Sequence, residues 1–223
     1  MIVVHHLENS RSLRILWMLE ELGLDYEVKH YARNKKTQLA PPELLEVHPL
    51  GKSPVLEDNG VVVAETGAIL EYLLAQYDKE GAFKPADPLS KEGMSYSYWL
   101  HSCEGSLMPF LVMTKVFQSI KQAPMPFFIK PVAKVIASKV EKSYIAPSLK
   151  RHFEYIESIL CHQDWFAGEQ FSAADVQMSF PLEAASKSMA GQYPYIESWL
   201  ERIHTRPAWQ AAHKKGGPYE FVK

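Results

Sequence analysis

Residues 48–70 read HPLGKSPVLEDNGVVVAETGAIL, and the fold is read outward from them. Val55–Glu57 and Val61–Val63 are short apolar runs flanking Asp58-Asn59-Gly60. An Asn-Gly pair between such runs is a strong hairpin signal. Just before it, Pro54 stands at a strand start, where proline is disfavoured unless the turn requires it. A cis Ser53–Pro54 bond would turn the chain sharply and expose the N–H and C=O of Ser53. Exposed backbone of that kind can pair with a peptide laid alongside as an extra strand. An ordinary trans loop proline is the plainer alternative. Just after the hairpin, Thr66 opens a helix with Ile69, Leu70, Leu73 and Leu74 as its apolar stripe. With Thr66 as N-cap, free N–H groups and a hydroxyl suit a carboxylate, while Glu65 suits an ammonium. Together they match an α-amino-acid head group; a plain cap beside a surface acid is the alternative.

Upstream, Ile2–Val4 reads as a buried strand. Leu13, Leu16, Trp17 and the run 20–22 follow with helical spacing, Gly23 ends that helix, and Tyr26–His30 is a second strand. Ser10 or Ser12 can cap the helix. A hydroxyl there can also donate to a bound thiolate. One such charge-assisted bond is worth roughly 1.5–3 kcal/mol, which lowers a thiol pKa by about one to two units. His5 and His6 are neighbours on a strand, so they face opposite sides and form no chelating pair. The order strand, helix, strand, loop, hairpin, helix is an α/β layer of small domain size.

Downstream, the stretch 81–90 carries Pro85 and Pro88 and reads as a linker. The remainder is helical: a long apolar and aromatic segment over 96–117, an interruption at Pro124, Pro126 and Pro131, then segments over 132–140, 145–160, 172–185, 195–203 and 208–214. The expected units are therefore 1–80, a linker at 81–90, and a helical domain at 91–223. In Gly168-Glu169-Gln170-Phe171-Ser172-Ala173-Ala174-Asp175, Ser172 caps a helix and Asp175 reaches back to its N–H, a structural capping box.

The bulk numbers narrow the function. The 223 residues carry net charge -2 and 47% hydrophobic content. No global basic field points to nucleic acid or to anionic membranes as the main partner, so neither nucleic-acid binding nor membrane association is expected. No apolar run reaches bilayer span, and the start of the chain lacks the pattern of a signal peptide. Cys103 and Cys161 form no C-x-x-C pair, so no redox dithiol or zinc site is expected and both read as reduced cytoplasmic thiols.

Taken together in this order, these motifs resemble the glutathione transferase superfamily over nearly the whole chain. The resemblance implies an α/β thioredoxin-like N-terminal domain plus an all-α C-terminal domain. It implies a cytoplasmic homodimeric detoxification enzyme, with glutathione as co-substrate and no prosthetic group. In serine-type members the activating serine lies four residues before an arginine on the first helix; Arg14 makes that Ser10, with Ser12 and Asn9 as alternatives. No tyrosine or cysteine occurs between Val4 and Arg14, which sets aside tyrosine-type activation and argues against thiol exchange. Lys52 is implied for the glycine carboxylate, Ser53 and Pro54 for the cysteinyl backbone, and Glu65 and Thr66 for the γ-glutamyl group. His48 departs from the asparagine of many members. Glu104 could reach glutathione across a dimer interface, although a solvated or ion-paired acid is the plainer reading.

Small apolar electrophiles are the implied second substrates. Met108, Phe110, Met113 and Phe117 are candidates for their site, and a core stripe explains them equally well. Reduction of organic hydroperoxides by the same thiolate is a variant, and a non-catalytic binding or assembly module is the rival. Keeping Ser10, Lys52, Glu65 and Thr66 together favours the enzyme. The segment 125–140 mixes Lys130, Lys134 and Lys139 with Phe127, Phe128, Ile129, Val132, Val135 and Ile136. A basic amphipathic helix can lie on a membrane; the expectation taken is a helix packed on its domain or lidding the electrophile site.

Overall fold

The computed structural model describes residues 1–222; residue 223, the last of the expected helical domain, lies outside the described residues. The N-terminal layer runs β1 (Ile2–Leu7), α1 (Leu13–Glu21), β2 (Tyr26–Tyr31), α2 (Leu44–Val47), β3 (Val55–Asp58), β4 (Val61–Ala64) and α3 (Thr66–Tyr77). The sheet order is β2-β1-β3-β4. β1 pairs parallel with β2 across the α1 crossover and antiparallel with β3, and β3 pairs antiparallel with β4. Asn59 and Gly60 both have positive φ, 47° and 89°, as a tight twisted hairpin demands.

The helical layer holds α4 (Lys91–Ser102), α5 (Met108–Gln122), α6 (Lys130–Val140), α7 (Ala146–Leu160), α8 (Ala173–Met189), α9 (Pro194–His204) and α10 (Pro207–Gly216). π-helical turns at Cys103–Leu107 and Glu141–Ile145 join α4 to α5 and α6 to α7. Each π turn fits one extra residue, so side chains beyond it are rotated by about 100° relative to an unbroken α-helix.

α1 is the shared layer. Its seven consecutive residues Leu13–Leu19 are all buried, the signature of a helix covered on every side. It packs on β1 and α3 within its own layer and on α8 and α10 of the other. The apolar core is accordingly continuous across both layers, from Leu16, Trp17 and Leu73 to Trp99, Phe166 and Trp199. At the start of α8, Asp175 accepts from the N–H of Ser172 at 3.0 Å, of Phe166 at 2.9 Å, and from the Trp199 indole at 3.2 Å. Ser172 Oγ accepts from Ala174 N, completing a capping box. Burial pushes the Asp175 carboxyl up to about 6.

Three local expectations are corrected. Glu65, not Thr66, holds the N-cap position of α3, without a side-chain cap, because the positive φ of Glu65 already turns the chain out of β4. Ser12 holds the N-cap position of α1 but does not cap it; its hydroxyl is engaged elsewhere. α6 turns its small side chains inward: Ala137 is buried and Ala133 half-buried, while Val132, Val135 and Ile136 face outward. It therefore does not bury its large apolar side chains on the domain.

Candidate active site

A cleft of about 210 Å³ opens where β3, α3 and the β1–α1 loop meet the α4–α5 helix. Lys52, Ser53, Pro54, Glu65 and Thr66 all line it, together with His48, Arg11 and Glu104. The Ser53–Pro54 bond is cis. Ser53 Oγ donates to the His5 carbonyl at 2.7 Å and accepts from Leu7 N at 3.1 Å. This fastens the loop to the end of β1. Among the described residues, neither the N–H nor the C=O of Ser53 has a partner within the chain, so both remain open to an extended ligand.

Across the cleft, Glu65 holds φ 72°, a conformation that costs a non-glycine residue of order 1–3 kcal/mol and collects at ligand sites. Its carboxylate is exposed. The first backbone bond of α3 is Ile69 N to Glu65 O, and no side chain caps the helix. The N–H groups of Thr66, Gly67 and Ala68 thus point unpaired into an anion-attracting helix end. Thr66 Oγ1 accepts from Arg14 Nη2 at 3.1 Å, leaving its own proton to donate.

Arg14 is the buried hub behind the cleft. Its guanidinium reaches Glu104 at 2.6 Å, the Gln177 carbonyl at 2.6 Å and Cys103 Sγ at 3.4 Å. Burial opposes its charge, but Cys103 and Glu104 outweigh this and hold its pKa above the usual value. Glu104 also accepts from Arg11 Nε at 3.0 Å. Burial opposes ionisation of Glu104; the two arginines prevail and hold its carboxyl below the usual range. Glu104 is therefore an ion-paired acid within its own chain. Burial pushes the Cys103 thiol up to about 12, so it is no nucleophile near neutrality.

The three candidates for thiol activation sit differently. Ser10 and Ser12 are both buried and lie 2.7 Å apart, Oγ to Oγ. Ser12 Oγ lies 2.9 Å from His6 Nδ1 and 3.3 Å from the Leu7 carbonyl, to which it can donate. Burial, then the neighbouring His30, depress His6 to about 4, so it is neutral with a single ring proton. Ser10 Oγ also accepts from Ser12 N at 3.2 Å. Both hydroxyls are thus engaged with each other and with His6 inside the loop, and none of Asn9, Ser10 and Ser12 is among the residues that line the cleft. Asn9 is half-exposed at φ 49°. Its Oδ1 accepts from Glu220 N at 2.8 Å, and its Nδ2 donors have no partner among the described residues.

The structure does not gather Met108, Phe110, Met113 and Phe117 into this cleft. Met108 is buried in the core, and Phe110 packs on Tyr144 and His152 with centroids 5.6 Å apart. α5 carries these side chains onto the core and onto Tyr144 and His152, away from the residues that line the cleft. The apolar group beside the β1–α1 loop is instead Phe180 of α8, 5.3 Å beneath the Arg11 guanidinium, with Phe221 on its edge at 5.4 Å. Arg11, Phe180 and Glu220 escaped the sequence reading. The charge of Arg11 so near the cap was the one available signal; the Glu220–Asn9 contact spans 211 residues. Among the described residues, no cluster of three or more His, Cys, Asp or Glu side chains is placed to hold a metal ion.

This architecture is matched in known proteins. Residues 1–75 match the family model "Glutathione S-transferase, N-terminal domain", and residues 120–214 match "Glutathione S-transferase, C-terminal domain". Glutathione S-transferase 3 of Schizosaccharomyces pombe is 40% identical, covering 96% of this chain and 88% of that protein. Glutathione S-transferase 1 of Saccharomyces cerevisiae is 34% identical over 96% and 94%. The crystal structure of a glutathione S-transferase from Actinobacillus pleuropneumoniae superposes with TM-score 0.82 at 37% identity, covering 99% of this chain and 95% of that one. The chain belongs to the glutathione S-transferase family.

Proposed function

We propose that the cleft binds glutathione and presents its thiolate to a small apolar electrophile. The observation that carries this is the convergence, in one cleft, of an unpaired Ser53 backbone, the uncapped start of α3, the exposed Glu65 carboxylate and Lys52. Glutathione offers a matching set. Its peptide backbone pairs with Ser53 as an added strand. Its γ-glutamyl carboxylate takes the first-turn N–H groups and hydroxyl of Thr66, and its ammonium takes Glu65. Its glycine carboxylate takes the Lys52 ammonium, which has no ion pair among the described residues.

The thiol then faces the β1–α1 loop, and we assign its activation to Asn9. The Glu220 N–H can only donate, so Asn9 Oδ1 is held as acceptor and Nδ2 is turned to donate. One donor to a thiolate lowers its pKa by about one to two units. Ser10 and Ser12 brace the loop. The electrophile stands against Phe180 and Phe221 rather than the α5 stripe. Reaction in the cytoplasm, a role in detoxification and a homodimer complete the reading. Val61 and Val62 on β4, with Met94 and Tyr98 on α4, are half-exposed or more and form the face for a second copy.

The test is an ultraviolet thiolate titration of bound glutathione. In Asn9→Ala the bound thiol pKa is expected to rise by one to two units, with turnover at neutral pH falling about ten- to a hundred-fold. Ser10→Ala is expected to move it less. A band that vanishes in Ser10→Ala and survives in Asn9→Ala would return the role to Ser10. No thiolate band in the wild type would leave a binding module without activation.

A further inference from the structure

The tip of the α5–α6 hairpin has no role in the cleft, and it is unusual. From Gly105 to Val140 the chain carries five lysines and no Asp or Glu, within a protein of net charge -2. Lys121 is consumed by an ion pair with Glu141. Lys130, Lys134 and Lys139 have no ion pair among the described residues. Interleaved with them are large apolar side chains left in solvent: Phe127 is 86% exposed, Phe128 65% and Val135 67%, with Ile129, Val132 and Ile136 also exposed. The inward face of α6 is made by Ala133, Ala137 and Val140, which fall within about 60° on a helical wheel. The helix thus turns Ala133, Ala137 and Val140 to the protein and Val132, Val135, Ile136 and its lysines outward.

We infer that this tip is a peripheral docking surface for an anionic lipid bilayer. A basic helix with one apolar face lies in the membrane interface, its apolar side chains among the acyl chains and its lysines at the headgroups. The charge pattern chooses the occupant. A second copy seated on the same patch by two-fold symmetry would set lysine against lysine with no carboxylate between them. The face offered to a second copy lies elsewhere, because Met94 and Tyr98 stand about 40 Å along the α4–α5 helix from its end at Gln122. No described helix is long and apolar enough to cross a membrane, so attachment is to the surface. The lysine-linked attraction is screened by salt.

The test is flotation of the full chain with vesicles of phosphatidylcholine alone, and with vesicles of equal parts phosphatidylcholine and phosphatidylserine. The protein is expected to float with the anionic vesicles, less so at high salt, and to stay behind with the neutral ones. Lys130→Gln with Lys134→Gln should weaken binding about thirty-fold, at roughly five-fold for each lysine near the surface. Phe127→Ser with Phe128→Ser should weaken it by at least ten-fold. Both variants change exposed side chains far from the cleft, so glutathione-dependent turnover is expected to match wild type. Light scattering should give a mass of two chains for wild type and both variants. Absence of binding to anionic vesicles overturns the proposal, as does equal binding to both vesicle types. A larger assembly that dissolves in the phenylalanine variant would overturn it in favour of self-association.

Discussion

His6 shows how one buried side chain ties the β1–α1 loop to the pH response of the molecule. Its folded pKa near 4 lies below the unfolded value near 6.5. Between those values the unfolded chain binds the extra proton, so stability falls as pH falls. The contribution is intact above about 6.5 and is lost progressively toward 4. From pH 7 to pH 5 this costs roughly 2 kcal/mol. Asp175 works the other way, because a carboxyl raised to about 6 favours the folded state at lower pH. The two are separated by His6→Asn. The advantage of wild type over this variant in urea unfolding is expected to shrink by about 2 kcal/mol between pH 7 and pH 5. A constant difference would mean that His6 is not held neutral. At this scale much of the candidate site was readable, since Lys52, Ser53, Glu65 and Thr66 are neighbours in sequence and share one cleft. The engagement of the Ser10 and Ser12 hydroxyls was not, because it depends on His6 of β1 standing beneath the loop.

Among the elements, α4 illustrates packing overruling propensity. Gly93 lies in its first turn, just after the Ser90 cap, whose Oγ accepts from Gly93 N at 3.0 Å. Replacing a helical glycine by alanine ordinarily gains up to about 1 kcal/mol. Here the added Cβ would stand 2.2 Å from the Asp87 carbonyl and 2.7 Å from Pro88 Cα. Both are backbone atoms of the linker, so relief requires moving α4 against it. Overpacking of this kind costs about 1–3 kcal/mol and outweighs the propensity gain. Gly93→Ala is expected to lower the melting temperature by several degrees, at roughly 2–4 °C per kcal/mol. An unchanged or higher melting temperature would show that the linker yields. Packing also decided the fate of the α5 stripe. Periodicity finds the helix but not its neighbours, so it does not show that Met108 enters the core and Phe110 meets Tyr144 and His152.

At the scale of the whole molecule, Arg14 joins what the chain separates. It lies on α1 and contacts Thr66 of α3, Cys103 and Glu104 at the π turn and the Gln177 carbonyl of α8. Removing it would leave Glu104 with Arg11 alone and the Gln177 carbonyl with the Cys103 thiol alone. Losing a hydrogen bond to a charged group costs about 1.5–3 kcal/mol. Arg14→Met is expected to lose stability of that order in denaturant unfolding. Glutathione affinity should weaken as well, since Thr66 loses its brace. A loss under 1 kcal/mol would mean that the apolar contacts of α1 alone hold the layers together.

The sequence by itself determined the hairpin, the helix behind it, the α/β layer followed by helices, and the line of residues along the cleft. Each depends on local chemistry: Asn-Gly at positive φ, a proline before a strand, a hydroxyl and an acid at a helix start. Tertiary structure decided the rest. It joined the Ser10 hydroxyl to Ser12 and the Ser12 hydroxyl to His6, held the Asn9 amide from Glu220, paired Glu104 with two arginines, and left the large apolar side chains of α6 in solvent. Those outcomes depend on which distant groups arrive beside a residue, and burial and hydrogen bonding assign its role only once they have arrived.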